Sequence, residues 1–257
     1  MKRIASADNP RYKALLKLAQ NTRERNQQRK TLLDGVHLVE MYRDHRGRPE
    51  LVAVSDGGLE NQEIEQLLQS LKPLEPVVLS DGLFKRLSTV ETPTGILAAI
   101  ARPQPAPSKL DATCVLLEDI QDAGNLGSIL RSAAAAGVGE IFLSKNSVDA
   151  WSPRVLRAGM GAHFLLNIHE DSDLIAIARE FKGKVLAADQ KASASLFDAD
   201  LRGAVAFVLG NEGGGLSEGL VGAADRTIAI PMAQGTESLN VAASAAVCLF
   251  EWVRRKI

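Results

Sequence analysis

Three stretches in the second half of the chain carry residue types and spacings that can do chemistry. Asp122-Ala123-Gly124-Asn125-Leu126-Gly127-Ser128-Ile129-Leu130-Arg131 is a turn feeding a helix, with Arg131 six residues after Asn125. Phe207-Val208-Leu209-Gly210-Asn211-Glu212-Gly213-Gly214-Gly215-Leu216 ends an apolar strand in a glycine-rich turn that carries Glu212. Ile228-Ala229-Ile230-Pro231-Met232-Ala233-Gln234-Gly235-Thr236-Glu237-Ser238-Leu239-Asn240 runs a strand into Pro231 and a loop, then sets Glu237, Ser238 and Asn240 at the mouth of a long apolar helix. Helix mouths present unpaired backbone N–H groups to whatever fills the adjoining loop.

The usual nucleotide loops do not fit. A dinucleotide fold needs G-x-G-x-x-G after its first strand, and here Glu118-Asp119-Ile120-Gln121-Asp122-Ala123-Gly124-Asn125 follows instead. Gly213, Gly214 and Gly215 lack that spacing, no Gly-Lys-Ser/Thr closes a Walker loop, and no Cys/His spacing of metal type occurs. Leu209, Gly210, Ile230, Met232 and Leu239 would instead line an apolar, backbone-rich slot suited to an adenine ring and its ribose. Gly210 would let a ligand approach the main chain closely. The alternative is that these aliphatic residues are ordinary core at strand ends.

The elements that must hold these loops read clearly. Strands are expected at Thr113–Leu117, Glu140–Leu143, Phe164–Ile168, Lys184–Ala188, Ala204–Leu209 and Arg226–Ile230. Helices are expected at Leu126–Ala136, Pro153–Gly159, Asp173–Phe181, Ser217–Ala223 and Asn240–Arg255. This alternation predicts a mostly parallel α/β sheet covered on both faces, with ligands bound outside the carboxyl ends of its strands. Patterning alone gives an open doubly wound sheet. Upstream, the prolines at 103, 105 and 107 predict a semi-rigid linker over residues 102–110. It divides a smaller α/β domain, residues 1–101, from a domain over residues 111–257. The first opens with a helix capped by Asn9 with Pro10 at its first position, followed by strands near Leu51–Val54, Pro76–Leu79 and Gly95–Ile100 and helical patterns around Val36–Arg43, Gln62–Leu71 and Gly82–Leu87.

The chain's formal net charge is −1, yet residues 1–33 carry nine Lys and Arg against two carboxylates. That excess suits either a phosphate-binding patch or a solvated helix face. Cys114 and Cys248 lie in apolar runs and read as buried free thiols of a reducing compartment. No signal peptide or membrane-length apolar run is apparent, so a cytoplasmic protein without membrane contact is expected.

In this order the three stretches closely resemble the motif set of the SpoU (TrmH) family of RNA ribose 2′-O-methyltransferases, within the knotted SPOUT class. Asp34-Gly35-Val36-His37-Leu38-Val39-Glu40 and Thr92-Pro93-Thr94-Gly95-Ile96-Leu97-Ala98 resemble the L30e-like substrate-binding domain that precedes the catalytic domain in many SpoU proteins. The resemblance implies a C-terminal trefoil knot, S-adenosyl-L-methionine in the slot with Gly210, Ile230 and Leu239 as contacts, and a homodimer through the C-terminal domain. It places Arg131 beside the reacting hydroxyl, either as a base or as a clamp on phosphate and ribose, with a helix-surface arginine as the alternative. Asn125 would bond across the loops, to substrate, or simply cap its helix. Glu212 would pair with Arg131, tether its loop or assist the base, Ser238 would contact ribose or phosphate, and Asn240 would hold the third loop against the first; capping alone would also explain Ser238 or Asn240. Ser132 stands where the family often has threonine. The implied substrate is 23S rRNA, with tRNA or a catalytically silent RNA-binding protein as alternatives.

Overall fold

The prolines at 103, 105 and 107 leave residues 102–109 without regular structure, and the chain divides within that stretch. The computed structural model describes residues 1–256. One unit comprises Met1–Gln104 with Trp151–Phe164; the other comprises Pro105–Ala150 with Leu165–Ile257.

The first unit runs β1 (Lys2–Ile4), α1 (Pro10–Gln20), α2 (Thr22–Gln28), β2 (Lys30–Asp34), α3 (Val36–Arg46), β3 (Leu51–Ser55), α4 (Gln62–Ser70), β4 (Val77–Leu79), α5 (Asp81–Leu87) and β5 (Ile96–Ala101). Its sheet has the order β1-β4-β3-β5-β2, with β5 antiparallel to both neighbours. Tyr12, Leu15 and Leu18 of α1 and Phe84 and Leu87 of α5 pack on Leu32, Leu79 and Leu97. The buried Tyr12 hydroxyl donates to the Leu83 carbonyl at 3.1 Å. Asn9 accepts from the Arg11 N–H, the cap expected for α1. Sequence patterning passed over β1, α2 and β2. The helix α2 has no apolar stripe; it is held by the Asn21 cap and by buried Arg25, which donates to the Leu18 carbonyl and the Thr22 hydroxyl. At the far end of β2, Asp34 accepts from the Ser88 hydroxyl at 2.7 Å and the Thr89 N–H at 3.1 Å.

The second unit contains β6 (Cys114–Leu117), α6 (Ala123–Ala135), β7 (Glu140–Leu143), β8 (Asn167–His169), α8 (Leu174–Glu180), β9 (Lys184–Ala188), β10 (Val205–Leu209), α9 (Glu218–Ala223), β11 (Arg226–Ile228) and α10 (Val241–Arg254). Its six strands are all parallel in the order β11-β9-β10-β6-β7-β8. The helices α8 and α9 cover the side chains of Cys114, Leu116, Ala206 and Val208, while α6 packs on α10.

Three differences from the sequence reading have a clear physical cause. The strand expected at Phe164–Ile168 is a 3-10 turn over Ala162–Phe164 followed by β8, because Phe164 is buried edge-on against Tyr42, 5.3 Å between ring centres. The strand expected to reach Ile230 ends at Ile228, since the Ala229 N–H bonds to the Ala194 carbonyl outside the sheet. Within the 111–257 segment, Trp151–Phe164, including α7 (Pro153–Ala158), packs in the first unit: α7 lies on β2, and the Thr31 hydroxyl donates to the Trp151 carbonyl at 2.6 Å.

Candidate active site

In the second sheet, β6 and β10 are neighbours whose chains leave in opposite directions, β6 through α6 to β7 and β10 through α9 to β11. Loops diverging at such a switch point leave a crevice at the strands' carboxyl ends. All three motif loops border it.

The turn after β10 is built by residues the sequence reading passed over. Asn211 accepts from the N–H groups of Gly213 and Gly214 at 2.8 and 2.9 Å, and its amide donates to the Asp119 carbonyl at 2.8 Å. Ser217, the N-cap of α9, donates its N–H and hydroxyl to the two Glu118 carboxylate oxygens, each at 2.7 Å. Asp119 takes a positive φ of 53° and accepts from the Ser144 hydroxyl at 2.6 Å, joining the end of β7 to the same network. Asn before a glycine run is a turn former and Ser before a short helix is a cap, so Asn211 and Ser217 carried local signals. Glu118 and Asp119 carried none, because their partners are remote in sequence.

The structure brings Asn125, Glu212 and Asn240 together in one hydrogen-bonded chain. Asn240 donates to the Asn125 amide oxygen at 2.9 Å, and the Asn125 amide donates to Glu212 at 3.0 Å. The Gln121 and Asp122 N–H groups also reach the Glu212 carboxylate, each at 3.4 Å. Burial pushes the Glu212 carboxyl up, but the Asn125 amide and the backbone N–H groups outweigh it and hold the group below the ordinary 4.5. Glu212 therefore carries a negative charge at neutral pH, committed to Asn125 and two backbone groups. The helix cap considered for Asn125 belongs to Asp122, which accepts from the Asn125 N–H at 2.7 Å. Asn240 does both jobs considered for it, since its amide oxygen also caps α10 through the Ala242 N–H at 2.9 Å.

Arg131 and Ser238 stand outside this chain. Both are exposed, and their side chains make no hydrogen bond or ion pair with the described residues. Six residues along α6 separate Arg131 from Asn125 by about 9 Å and by a turn fraction that sets it on another face. Glu212 tethers its loop and does not pair with Arg131.

Around the slot, Leu209 is buried, Gly210 and Ile230 are half-buried, and Met232 and Leu239 are exposed. Two exposed apolar side chains beside a polar mouth fit cover for an aromatic ring. The turn itself also requires glycine at 210. A Cβ there would stand 2.3 Å from the Gly215 carbonyl oxygen, so the turn itself fills the space.

The comparisons with known proteins agree with this geometry. Residues 112–250 match the SpoU rRNA Methylase family model, and residues 9–98 match the MRM3-like substrate binding domain. The chain is 30% identical to the 23S rRNA (guanosine(2553)-2′-O)-methyltransferase RlmP of Bacillus subtilis, over 97% of its own length and 98% of that protein's. A crystal structure of an RNA 2′-O ribose methyltransferase matches with a TM-score of 0.85 at 32% identity, covering 99% of both chains. The SpoU methyltransferase AviRb of Streptomyces viridochromogenes, crystallised with AdoMet, matches with a TM-score of 0.84 at 25% identity over 96% of this chain and 99% of that one. A structure concerned with 2-OH methylation of C/U34 on tRNA matches with a TM-score of 0.52 at 26% identity and covers 58% of this chain and 98% of that one. Motifs, fold and family match converge: this chain belongs to the SpoU rRNA methylase family.

Proposed function

We propose that the chain is an S-adenosyl-L-methionine-dependent enzyme that methylates a ribose 2′-hydroxyl of 23S rRNA. The observation that carries this reading is the Asn240–Asn125–Glu212 chain, which locks three loops around the switch point of a SpoU-type sheet. RlmP, named for 23S rRNA, is matched across nearly the whole of this chain, whereas the structure concerned with tRNA methylation spans 58% of it. This favours ribosomal RNA over tRNA.

The cofactor, held between Leu209, Gly210, Ile230, Met232 and Leu239, would supply an activated methyl group. The protein's task is to align the ribose oxygen with that methyl and to manage the proton the oxygen loses. A guanidinium stays protonated, so Arg131 acts as a clamp: it orients ribose and phosphate and stabilises the oxygen's developing negative charge, while solvent water takes the proton that the hydroxyl loses. Ser238 joins it from the third loop, while Asn125, Glu212 and Asn240 fix the loops. The first unit reads the RNA.

The working form in this reading is a homodimer in the cytoplasm, and the polypeptide carries the family's trefoil knot. On α10, Val241, Ala245, Cys248, Leu249 and Trp252 are buried, but Ala243, Val247 and Phe250 form a second apolar stripe, with Phe250 48% exposed. A twofold contact would cover that stripe. Sedimentation at micromolar concentration is expected to give a dimer mass; a monomer mass removes the dimer. No described helix is long and apolar enough to cross a membrane. Nucleoside analysis of methylated 23S rRNA tests the chemistry: a 2′-O-methylated ribose is expected, and a base-methylated product contradicts the reading.

A further inference from the structure

The basic stretch at the start of the chain is largely spent on the protein itself. Arg3 pairs with Asp56, Lys13 with Asp8, Lys17 with Glu24 and Lys30 with Glu50. Arg25 is buried on Leu18 and Thr22, and Arg29 donates to Gln104 at 3.0 Å. Of the nine cations, this leaves Lys2, Arg11 and Arg23 without a side-chain partner among the described residues, and a second basic surface lies elsewhere in the unit.

The first unit contains a cavity of about 570 Å³ between the end of α1, the loop after α5 and the start of α7. Lys85 and Arg154 line it from two sides, with the hydroxyl-bearing residues Ser88, Thr89 and Ser152 and with Gln20. Both cations are exposed, and neither makes a hydrogen bond or ion pair with the described residues. The loop wall is held in place, since Asp34 accepts from Ser88 and Thr89 and Ser88 in turn accepts from the Val90 N–H at 3.2 Å. Ser152 caps α7. The volume lies within the range of small-ligand pockets, about 300–1,000 Å³.

We propose that this cavity binds one nucleotide of the RNA substrate, its phosphate between Lys85 and Arg154 and its sugar or base edge against Ser88, Thr89 and Gln20. Cations position a nucleic-acid backbone, and short polar side chains read what hangs from it. The assignment rests on the RNA-methyltransferase reading. It gives the Trp151–Phe164 segment a purpose: sequence from the catalytic half supplies one wall of an RNA-binding pocket. It also gives Asp34 a role, since Asp34 fixes the opposite wall. Glu91 also lines the cavity, a carboxylate that the two cations have to outweigh.

The test uses the full chain with deproteinised 23S rRNA and, separately, a short single-stranded RNA oligonucleotide. The variants are Lys85→Ala, Arg154→Ala and the pair together, with Lys17→Ala as control because Glu24 already pairs with that cation. Loss of both cations should weaken RNA binding about tenfold or more at moderate salt and flatten the salt dependence, the one lost phosphate contact removing about 0.7–0.9 from the log–log slope. The KM for RNA should rise while kcat and cofactor affinity stay as in the wild type, and Lys17→Ala should bind normally. If the wild type methylates 23S rRNA and the double variant binds it within twofold with an unchanged slope, the pocket is refuted and the enzyme reading stands. A wild type that neither binds nor methylates RNA overturns both.

Discussion

Replacing Asn125 with alanine removes the central link of the chain that joins the three loops. Two hydrogen bonds go: one to Asn240 at 2.9 Å and one to the Glu212 carboxylate at 3.0 Å. A neutral bond contributes about 0.5–1.5 kcal/mol and one to a charged acceptor about 1.5–3 kcal/mol. These groups are partly solvated and water can replace the lost partner, so the loss of stability should be about 1–2 kcal/mol, near the low end. For a unit of this size that lowers Tm by roughly 2–8 °C, leaving the protein folded at 25 °C. Catalysis should suffer more, because loops free to shift by an ångström cost on the order of a hundredfold in rate. The assay is kcat for methyl transfer at saturating RNA and cofactor, beside thermal unfolding. Asn125→Asp sharpens it. That variant keeps the acceptor for Asn240 but sets a second carboxylate against Glu212, so it should be inactive at neutral pH and recover partly in acid, where one proton bridges the pair. A kcat within threefold of wild type for Asn125→Ala, at the expected Tm, refutes the idea that this chain aligns the site.

Gly210→Ala drives a methyl group to 2.3 Å from the Gly215 carbonyl, so the turn must move at a cost of about 1–3 kcal/mol; calorimetry should show cofactor affinity at least tenfold weaker, and wild-type affinity would show that the turn yields without disturbing the slot. Burial pushes the Cys114 and Cys248 thiols up to about 12. Both should therefore resist a thiol reagent in the native protein and react only on unfolding, and rapid native labelling of either contradicts their placement. Glu251, on α10, is held down to about 2, first by the Arg254 guanidinium and then, against the upward push of burial, by Arg255. A depressed carboxylate stabilises the fold above its ordinary value of 4.5, and that stability is lost as pH falls from 4.5 toward 2. Glu251→Gln should lower Tm at neutral pH and narrow the gap to the wild type near pH 3; parallel Tm–pH curves refute the assignment.

Periodicity made most of the second sheet legible: Glu140–Leu143 and Lys184–Ala188 have the boundaries read from their apolar runs. Polar elements escaped. The helix over Thr22–Gln28 shows no apolar face, and the strand over Lys30–Asp34 opens inside a run of charges. In the site, turns and helix mouths made the loops legible, and Asn125, Glu212 and Asn240 stood out through the resemblance of those loops to the family's motifs. Sequence did not reveal Glu118 clasping Ser217 across 99 residues, nor that the Gly210 position is demanded by Gly215. Such contacts are set by which strands become neighbours, and local pattern does not encode that. Nor does local pattern show that Trp151–Phe164 packs with the first unit.

The central claim is ribose methylation of ribosomal RNA through these three loops. Its most direct test is transfer of label from S-adenosyl-L-methionine to deproteinised 23S rRNA, 16S rRNA and bulk tRNA, by the wild type and by Arg131→Ala. Label should enter 23S rRNA alone and vanish with Arg131→Ala while cofactor and RNA still bind within a few-fold. Full turnover by Arg131→Ala, or label in tRNA in place of 23S rRNA, contradicts the account.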